Sequence, residues 1–316
     1  MGQLSDRDLG SSSIEGEATP SATQFRRGIS RRILLSIMGA GFAIPAAFGL
    51  SYYVDIMPAK QLRWVVFYGQ TTDEAVLATY DIVILDPGFL GSIKAVAASG
   101  AQVFGYLSLG EIRVASSFFD RVDPEAVLGA SLSSEGARKL DIRHPSWQSL
   151  VLDQLVPAML AQGFNGLMLD TLDTPAYLEL IDAKHNAGMR QAAIDLVHAI
   201  RKRHPKLKLI ANRGYALLPN LVDILDALIA ESLLTRPNAS GGGSGWTEAS
   251  EVSQQLKLLA PATRRAKPLP ILSLDYWPPE DTATIQLIYR RERKLGHHPY
   301  VTTPLMDQII PEPQTA

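Results

Sequence analysis

Phe164-Asn165-Gly166-Leu167-Met168-Leu169-Asp170-Thr171-Leu172-Asp173 is the stretch on which the fold of this 316-residue chain turns. A turn-forming Asn-Gly leads into three apolar residues, the run ends in Asp170, and a second carboxylate follows at Asp173. A strand that buries Leu167, Met168 and Leu169 and presents an acid at its tip is how barrel enzymes deliver a catalytic group to the C-terminal mouth.

The rest of the chain from Arg63 onward repeats that unit, alternating short apolar runs with longer amphipathic segments as parallel α/β proteins do. Strands are expected at Trp64–Tyr68, Asp81–Leu85, Gln102–Leu107, Gly166–Leu169, Lys208–Ala211, Ala227–Ala230, Pro270–Leu274 and Tyr300–Thr303. Helices are expected near Asp73–Thr79, Ser92–Ser99, Ser146–Gln162, Pro175–Arg203, Leu217–Ile224, Glu248–Leu259 and Asp281–Leu295. Eight strands with helical crossovers over roughly 250 residues predict an α/β fold, a (β/α)8 TIM barrel. The rival is a doubly wound open sheet, and no Gly-rich turn of the dinucleotide-binding kind follows Trp64–Tyr68. Two connections stand out: a long insert after Leu107, and a Gly-rich loop from Asn238 to Trp246. That loop reads as a lid whose Trp246 stacks on a sugar, or as a surface turn. It lacks the Gly-Lys-Ser/Thr of a phosphate loop.

Ahead of the barrel, residues 1–24 are rich in Ser, Gly and Glu, and Arg26, Arg27, Arg31 and Arg32 precede an uncharged run over residues 33–54. Ser30-Arg31-Arg32-Ile33-Leu34-Leu35 resembles a twin-arginine signal, and the run is long enough to span a bilayer. The expected organisation is therefore a signal or membrane anchor in residues 1–62 and the barrel in residues 63–316. Positive flanking charge places the barrel outside the cytoplasm, periplasmic or secreted, or held to the membrane by residues 33–54. The sequence leaves cleavage of that segment open.

A net charge of −2, from 30 basic and 32 acidic residues without a long single-sign block, argues against a nucleic-acid partner. The absence of cysteine removes thiolate catalysis and zinc-thiolate sites. No lysine stands at an expected strand tip to form a Schiff base, and there is no nucleophile elbow or nucleotide fingerprint. What remains is a ring of polar residues at the strand ends: Tyr68 and Gln70, Asp86, then Tyr106, Ser108 and Glu111. After these come Asp170 and Asp173, Asn212 and Arg213, Glu231, and finally Asp275, Tyr276 and Trp277. Asp86 and Asp173 could equally cap a turn or helix. Asp170 and Glu231 each close an apolar run, so each is expected to be partly buried with a tuned pKa, as a catalytic carboxyl pair requires. Asp86, Asp170 and Asp173 could otherwise ligate a hard cation. None of His144, His185, His198, His204, His297 and His298 forms a helical metal-ligand pair, and no metal or cofactor is expected.

Gly105-Tyr106-Leu107-Ser108-Leu109-Gly110-Glu111, Leu140-Asp141-Ile142-Arg143-His144-Pro145-Ser146-Trp147 and Gly163 to Asp173 together resemble glycoside hydrolase family 114. The family's members are (β/α)8 barrels that include endo-α-1,4-polygalactosaminidases and are typically exported. One departure is Asn165, where the family usually carries aspartate. The resemblance places the family's strand-four aspartate on Asp170 and its strand-six glutamate on Glu231, as the catalytic pair. The expected function is hydrolysis of an α-1,4-linked galactosamine-type polysaccharide by a retaining mechanism, with Asp170 as nucleophile and Glu231 as general acid/base. Tyr68, Asp86, Tyr106, Glu111, Asp173, Asn212, Trp246, Asp275 and Tyr276 are expected to bind substrate, with Asp86, Glu111 and Asp275 meeting the cationic sugars. A membrane-tethered barrel that binds polysaccharide without turnover is the alternative.

Overall fold

In the computed structural model, which describes residues 61–131, 136–238 and 243–314, eight short runs of mostly buried residues pair in sequence order. They are β1 (Trp64–Phe67), β2 (Ile82–Leu85), β3 (Gln102–Ser108), β4 (Gly166–Asp170), β5 (Lys208–Asn212), β6 (Ala227–Glu231), β7 (Ile271–Tyr276) and β8 (His298–Thr302). Every neighbouring pair is parallel. The remaining seam closes where the Trp64 indole Nε1 donates to His298 O at 2.7 Å and Leu62 N donates to His298 Nδ1 at 3.1 Å. The result is the expected (β/α)8 barrel. Its strands are buried on both faces, which is why they read in sequence as unbroken apolar runs rather than as alternation.

Helices cover the barrel through one apolar stripe each. In Met189–Arg203 the buried positions include Met189, Ala193, Val197 and Ile200, at helical spacing. Its last turn carries Arg201, Lys202 and Arg203, whose charge opposes the negative end of the helix dipole. Arg201 also donates to Ile224 O and Asp226, pinning the start of β6.

Two expected helices are interrupted. Pro175–Arg203 divides into Asp173–Ile181 and Met189–Arg203, because Gly188 turns left-handed at φ 85° and Asn186 Nδ2 satisfies Leu178 O at 3.0 Å. Ser146–Gln162 divides into Pro145–Leu150, a π turn at Val151–Leu155, and Val156–Gln162. Pro157 has no N–H for the preceding turn, and the wider π turn accommodates that missing donor.

The insert after β3 folds into an antiparallel sheet of Glu111–Arg113, Ala137–Leu140 and Val127–Ala130, strands too short to leave a sequence signal. The Gly-rich loop closes a hairpin between Thr235–Pro237 and Ser244–Trp246, and residues 239–242 at its tip lie outside the described residues. The expected signal or anchor over residues 33–54 also lies outside them. Among the described residues no helix is long and apolar enough to cross a membrane.

Candidate active site

Side chains alternate across a strand, so parity decides whether the last residue faces the barrel axis or the helices. Tyr106, Asp170, Asn212, Glu231 and Tyr276, from five successive strands, all face inward and line one cavity of ≈ 820 Å³ at the C-terminal mouth. Asn212 joins the two acids, its Nδ2 donating to Asp170 Oδ1 at 2.9 Å and to Glu231 Oε2 at 2.7 Å. The Tyr106 hydroxyl donates to Asp170 Oδ2 at 3.0 Å, and the Tyr276 hydroxyl donates to Glu231 Oε1 at 2.8 Å. Each carboxyl thus has its own tyrosine and shares one amide. Asn212 Oδ1, although buried, has no partner among the described residues.

Burial raises the Asp170 pKa above the usual 3.8, and the nearby Glu231 charge adds to the rise. Hydrogen bonds from Thr171 N, Asn212 and Tyr106 act in the opposite direction, favouring the ionised form. Burial also pushes the Tyr106 and Tyr68 phenols well above their ordinary value, so both remain protonated donors. Tyr68 meets Tyr106 edge-on, with ring centroids 5.2 Å apart, and its N–H donates to Met306 O.

The backbone at this rim is unusual. Thr171, Arg213 and Ser232 directly follow Asp170, Asn212 and Glu231, and all three are left-handed, at φ 58°, 54° and 59°. Met306, at φ 52°, completes the set of non-glycine residues with positive φ among the described residues. Such conformations cost of order 1–3 kcal/mol each and persist where surrounding contacts enforce them. At Thr171 those contacts are visible: its hydroxyl donates to Asp170 O at 2.7 Å and accepts from Gly110 N at 2.8 Å, while Leu109 N donates to Asp170 O at 3.1 Å.

This stitching explains two of the sequence motifs. In the Gly105–Glu111 segment, Gly110 must be glycine because a Cβ there would lie 2.5 Å from Thr171 O and 3.0 Å from Pro175 Cδ. In the Leu140–Trp147 segment, the buried Trp147 donates from Nε1 to Leu109 O at 3.0 Å, bracing the same turn. Asn165 retains its structural part without the charge, accepting from Val103 N at 2.7 Å. Gly110→Ala is expected to cost about 1–3 kcal/mol through overpacking. It should also lower kcat, since the backbone it displaces carries Asp170; thermal unfolding and turnover on one preparation check both effects.

Of the other expected substrate contacts, Asp86 and Glu111 line the cavity. Asp86 Oδ1 also accepts from Gly88 N at 2.7 Å, and Glu111 Oε1 accepts from the Thr174 hydroxyl at 2.9 Å. Three expectations need correction. Asp173 is the first residue of its helix, stands outside the cavity lining, and is held by the Arg213 guanidinium at 3.2 Å. Trp246 is also outside the lining: its ring lies 5.7 Å from that of Trp277, with the Arg291 guanidinium 4.7 Å over its face. Asp275 is 0% exposed and faces the helices, because β7 runs on to Tyr276 and parity brings the tyrosine inward instead.

Asp86, Asp170 and Asp173 do not converge as a ligand set. Among the described residues the only group with metal-like spacing is Asp123, Glu125 and His144, on the insert. The sequence reading missed Arg113 and Met306, which line the cavity, and the conformation of Thr171. Arg113 sits in a three-residue strand, and left-handed threonine carries no sequence signal.

The sequence profile of the Glycoside-hydrolase family GH114 matches residues 48–315. The glycoside hydrolase domain of PelA from Pseudomonas aeruginosa is similar in structure, with 26% identity, a TM-score of 0.70, and coverage of 78% of this chain and 96% of that one. Aspergillus fumigatus Ega3, solved in complex with galactosamine, shares the fold at 14% identity and a TM-score of 0.58, covering 83% of this chain and 98% of that one. No curated protein matches the chain in sequence.

Proposed function

The chain belongs to the Glycoside-hydrolase family GH114 and is a glycoside hydrolase, and from that premise we propose that it cuts an extracytoplasmic α-1,4-linked galactosamine-type polysaccharide internally, with retention. Asp170 is the nucleophile and Glu231 the general acid/base. The observation that carries this reading is the shared amide of Asn212. One nitrogen reaches both acids at 2.9 and 2.7 Å, so the two oxygens are separated by no more than those bonds laid end to end. A shared donor at that range supports the closer pairing of a retaining enzyme, carboxyls roughly 5–5.5 Å apart, over the roughly 6.5–9.5 Å that leaves room for an attacking water in an inverting one.

In the first step Glu231 gives its proton to the glycosidic oxygen while Asp170 attacks the anomeric carbon, forming a glycosyl ester as the leaving chain departs. Glu231, now ionised, takes a proton from water, whose oxygen attacks the same carbon and frees Asp170. Two acids this close disfavour double ionisation, so the pair holds the one proton the first step needs.

The substrate class is supported by the carboxylates Asp86, Glu111, Asp170 and Glu231 in a cavity where, among the described residues, Arg113 is the one cationic side chain, an environment suited to sugar ammonium groups. Asn212 Oδ1 offers an acceptor to an N–H or O–H of the bound sugar. The structurally similar Ega3 was solved with galactosamine. Export by the segment over residues 33–54, and the division into residues 1–62 and 63–316, belong to the same proposal.

Digestion of a purified α-1,4-galactosamine polymer, followed by NMR of the first products, tests the reading. Initial release of α-anomeric oligosaccharides of several lengths is expected; β-anomers would refute retention, and no release would refute the substrate. The pH profile adds a second check. Asp170 must be ionised to attack, and its pKa is raised, so kcat/KM should fall on the acid side at a pH above 3.8. Glu231→Gln keeps a neutral neighbour beside Asp170, as the protonated acid does, so that limb should stay where it is, measured with an aryl glycoside that needs no acid.

A further inference from the structure

Behind the mouth, in the layer between the strands and the helix Thr282–Lys294, lie three buried ionisable side chains that the mechanism does not use. Asp275 and Glu292 are 0% exposed and His297 is 3% exposed. Burying such groups is costly, and a fold that keeps them commonly gains a geometric constraint in return.

That constraint is visible at Asp275. Its Oδ1 accepts from Leu234 N at 2.9 Å, from Thr235 N at 2.6 Å and from the Thr235 hydroxyl at 3.3 Å. These residues form the turn that follows Glu231 and left-handed Ser232. Thr235 Oγ1 in turn accepts from Tyr276 N at 3.1 Å, and the Tyr276 hydroxyl is the one that holds Glu231 Oε1. Both the backbone carrying Glu231 and the tyrosine orienting its carboxyl are therefore tied to one buried oxygen. The other end of the turn is pinned separately, Ser232 N donating to Leu274 O at 2.8 Å and buried Gln255 donating to Ser232 O at 3.1 Å.

We propose that Asp275 is a positioning residue for the acid/base Glu231, clamping the turn 232–235 and Tyr276 from outside the barrel, with Glu292 and His297 as the support that fixes Asp275. The second carboxyl oxygen makes that support possible. Asp275 Oδ2 and Glu292 Oε1 are both buried and take no donor from a described residue, and each carboxyl bears directly on the ionisation of the other, so one shared proton would satisfy both. Burial supplies it, lifting Asp275 well above the ordinary range and Glu292 to about 7. Glu292 Oε2 meets His297 Nδ1 at 2.6 Å, which anchors the far end.

The inference rests on the assignment of Glu231 as acid/base, and the experiment separates the two. Asp275→Ala, Asp275→Asn and Glu231→Gln are compared on the galactosamine polymer and on a dinitrophenyl α-galactosaminide, whose leaving group needs no proton. Misplacing a catalytic group by about an ångström costs roughly 10²-fold. Asp275→Ala should therefore lose about that factor in kcat on the polymer, with KM little changed, while formation of the glycosyl-enzyme from the aryl substrate continues and azide speeds its turnover. Asp275→Asn keeps the oxygen that accepts from the turn, and its amide donates to Glu292 in place of the shared proton, so it should recover most of the loss.

An equal loss on both substrates, or wild-type kcat in Asp275→Ala, overturns the proposal. If Asp275→Ala does not fold, Thr235→Val, which removes the Thr235–Tyr276 link and the hydroxyl bond to Asp275 but leaves both backbone donors, should show the same leaving-group dependence at smaller size, and its absence counts equally against the proposal. If Glu231→Gln itself shows no leaving-group dependence, the acid/base assignment fails. The clamp is then judged by hydrogen exchange at Leu234 and Thr235, expected to be fast in Asp275→Ala and slow in wild type and Asp275→Asn; uniform protection would remove it.

Discussion

Asp170→Asn is expected to lower kcat on the polymer by roughly 10⁵-fold, the scale on which a covalent nucleophile is lost. The amide keeps the size and most of the contacts of the acid. Asn212 Nδ2 can still donate to its oxygen, and the Tyr106 hydroxyl can turn to accept from its nitrogen. Turnover therefore fails for want of a nucleophile rather than for want of structure. Stability should move the other way. Burial and Glu231 both disfavour the Asp170 charge, so a neutral isostere should fold at least as stably at neutral pH, as expected where activity requires a strained site. Reducing-end release together with a melting curve gives both answers. Mass spectrometry of wild type trapped with a fluorosugar should place the ester on Asp170, and a label elsewhere would reassign the nucleophile.

Glu231→Gln is expected to lower polymer turnover by about 10²–10⁴-fold, the range of general acid/base catalysis. Its loss should depend on the leaving group: severe for the sugar chain, which must be protonated, and slight for formation of the glycosyl-enzyme from a dinitrophenyl glycoside. Added azide should then restore release and yield the α-glycosyl azide, since a small anion needs no base. A β-azide, or losses independent of leaving group, would show that Glu231 does not carry the proton.

These two acids were legible in the sequence for the same reason as the barrel. Strands buried on both faces appear as short apolar runs, and an acid ending such a run is hard to explain except as a rim group. Asp275 carries the same signature after Leu272-Ser273-Leu274 and has a different place, because the end of the strand is not where the run ends. β7 extends to Tyr276, and one residue of extension exchanges which side chain faces the axis. The place of Trp246 was hidden for another reason: its neighbour Arg291 lies forty-five residues away on a helix, and no local pattern announces that contact. The sequence also hid the short insert sheet and the left-handed residues after Asp170, Asn212 and Glu231, which only the surrounding hydrogen bonds enforce.

The polarity of the barrel has a consequence for how the enzyme would sit in its surroundings. The chain enters β1 at Trp64 on the N-terminal face, whereas Asp170 and Glu231 stand at the C-terminal ends of β4 and β6, on the opposite face. A leash attached ahead of residue 61 would therefore hold the molecule by its floor. The mouth would look outward, toward polymer approaching from beyond the cell surface and away from chains emerging beside the attachment point.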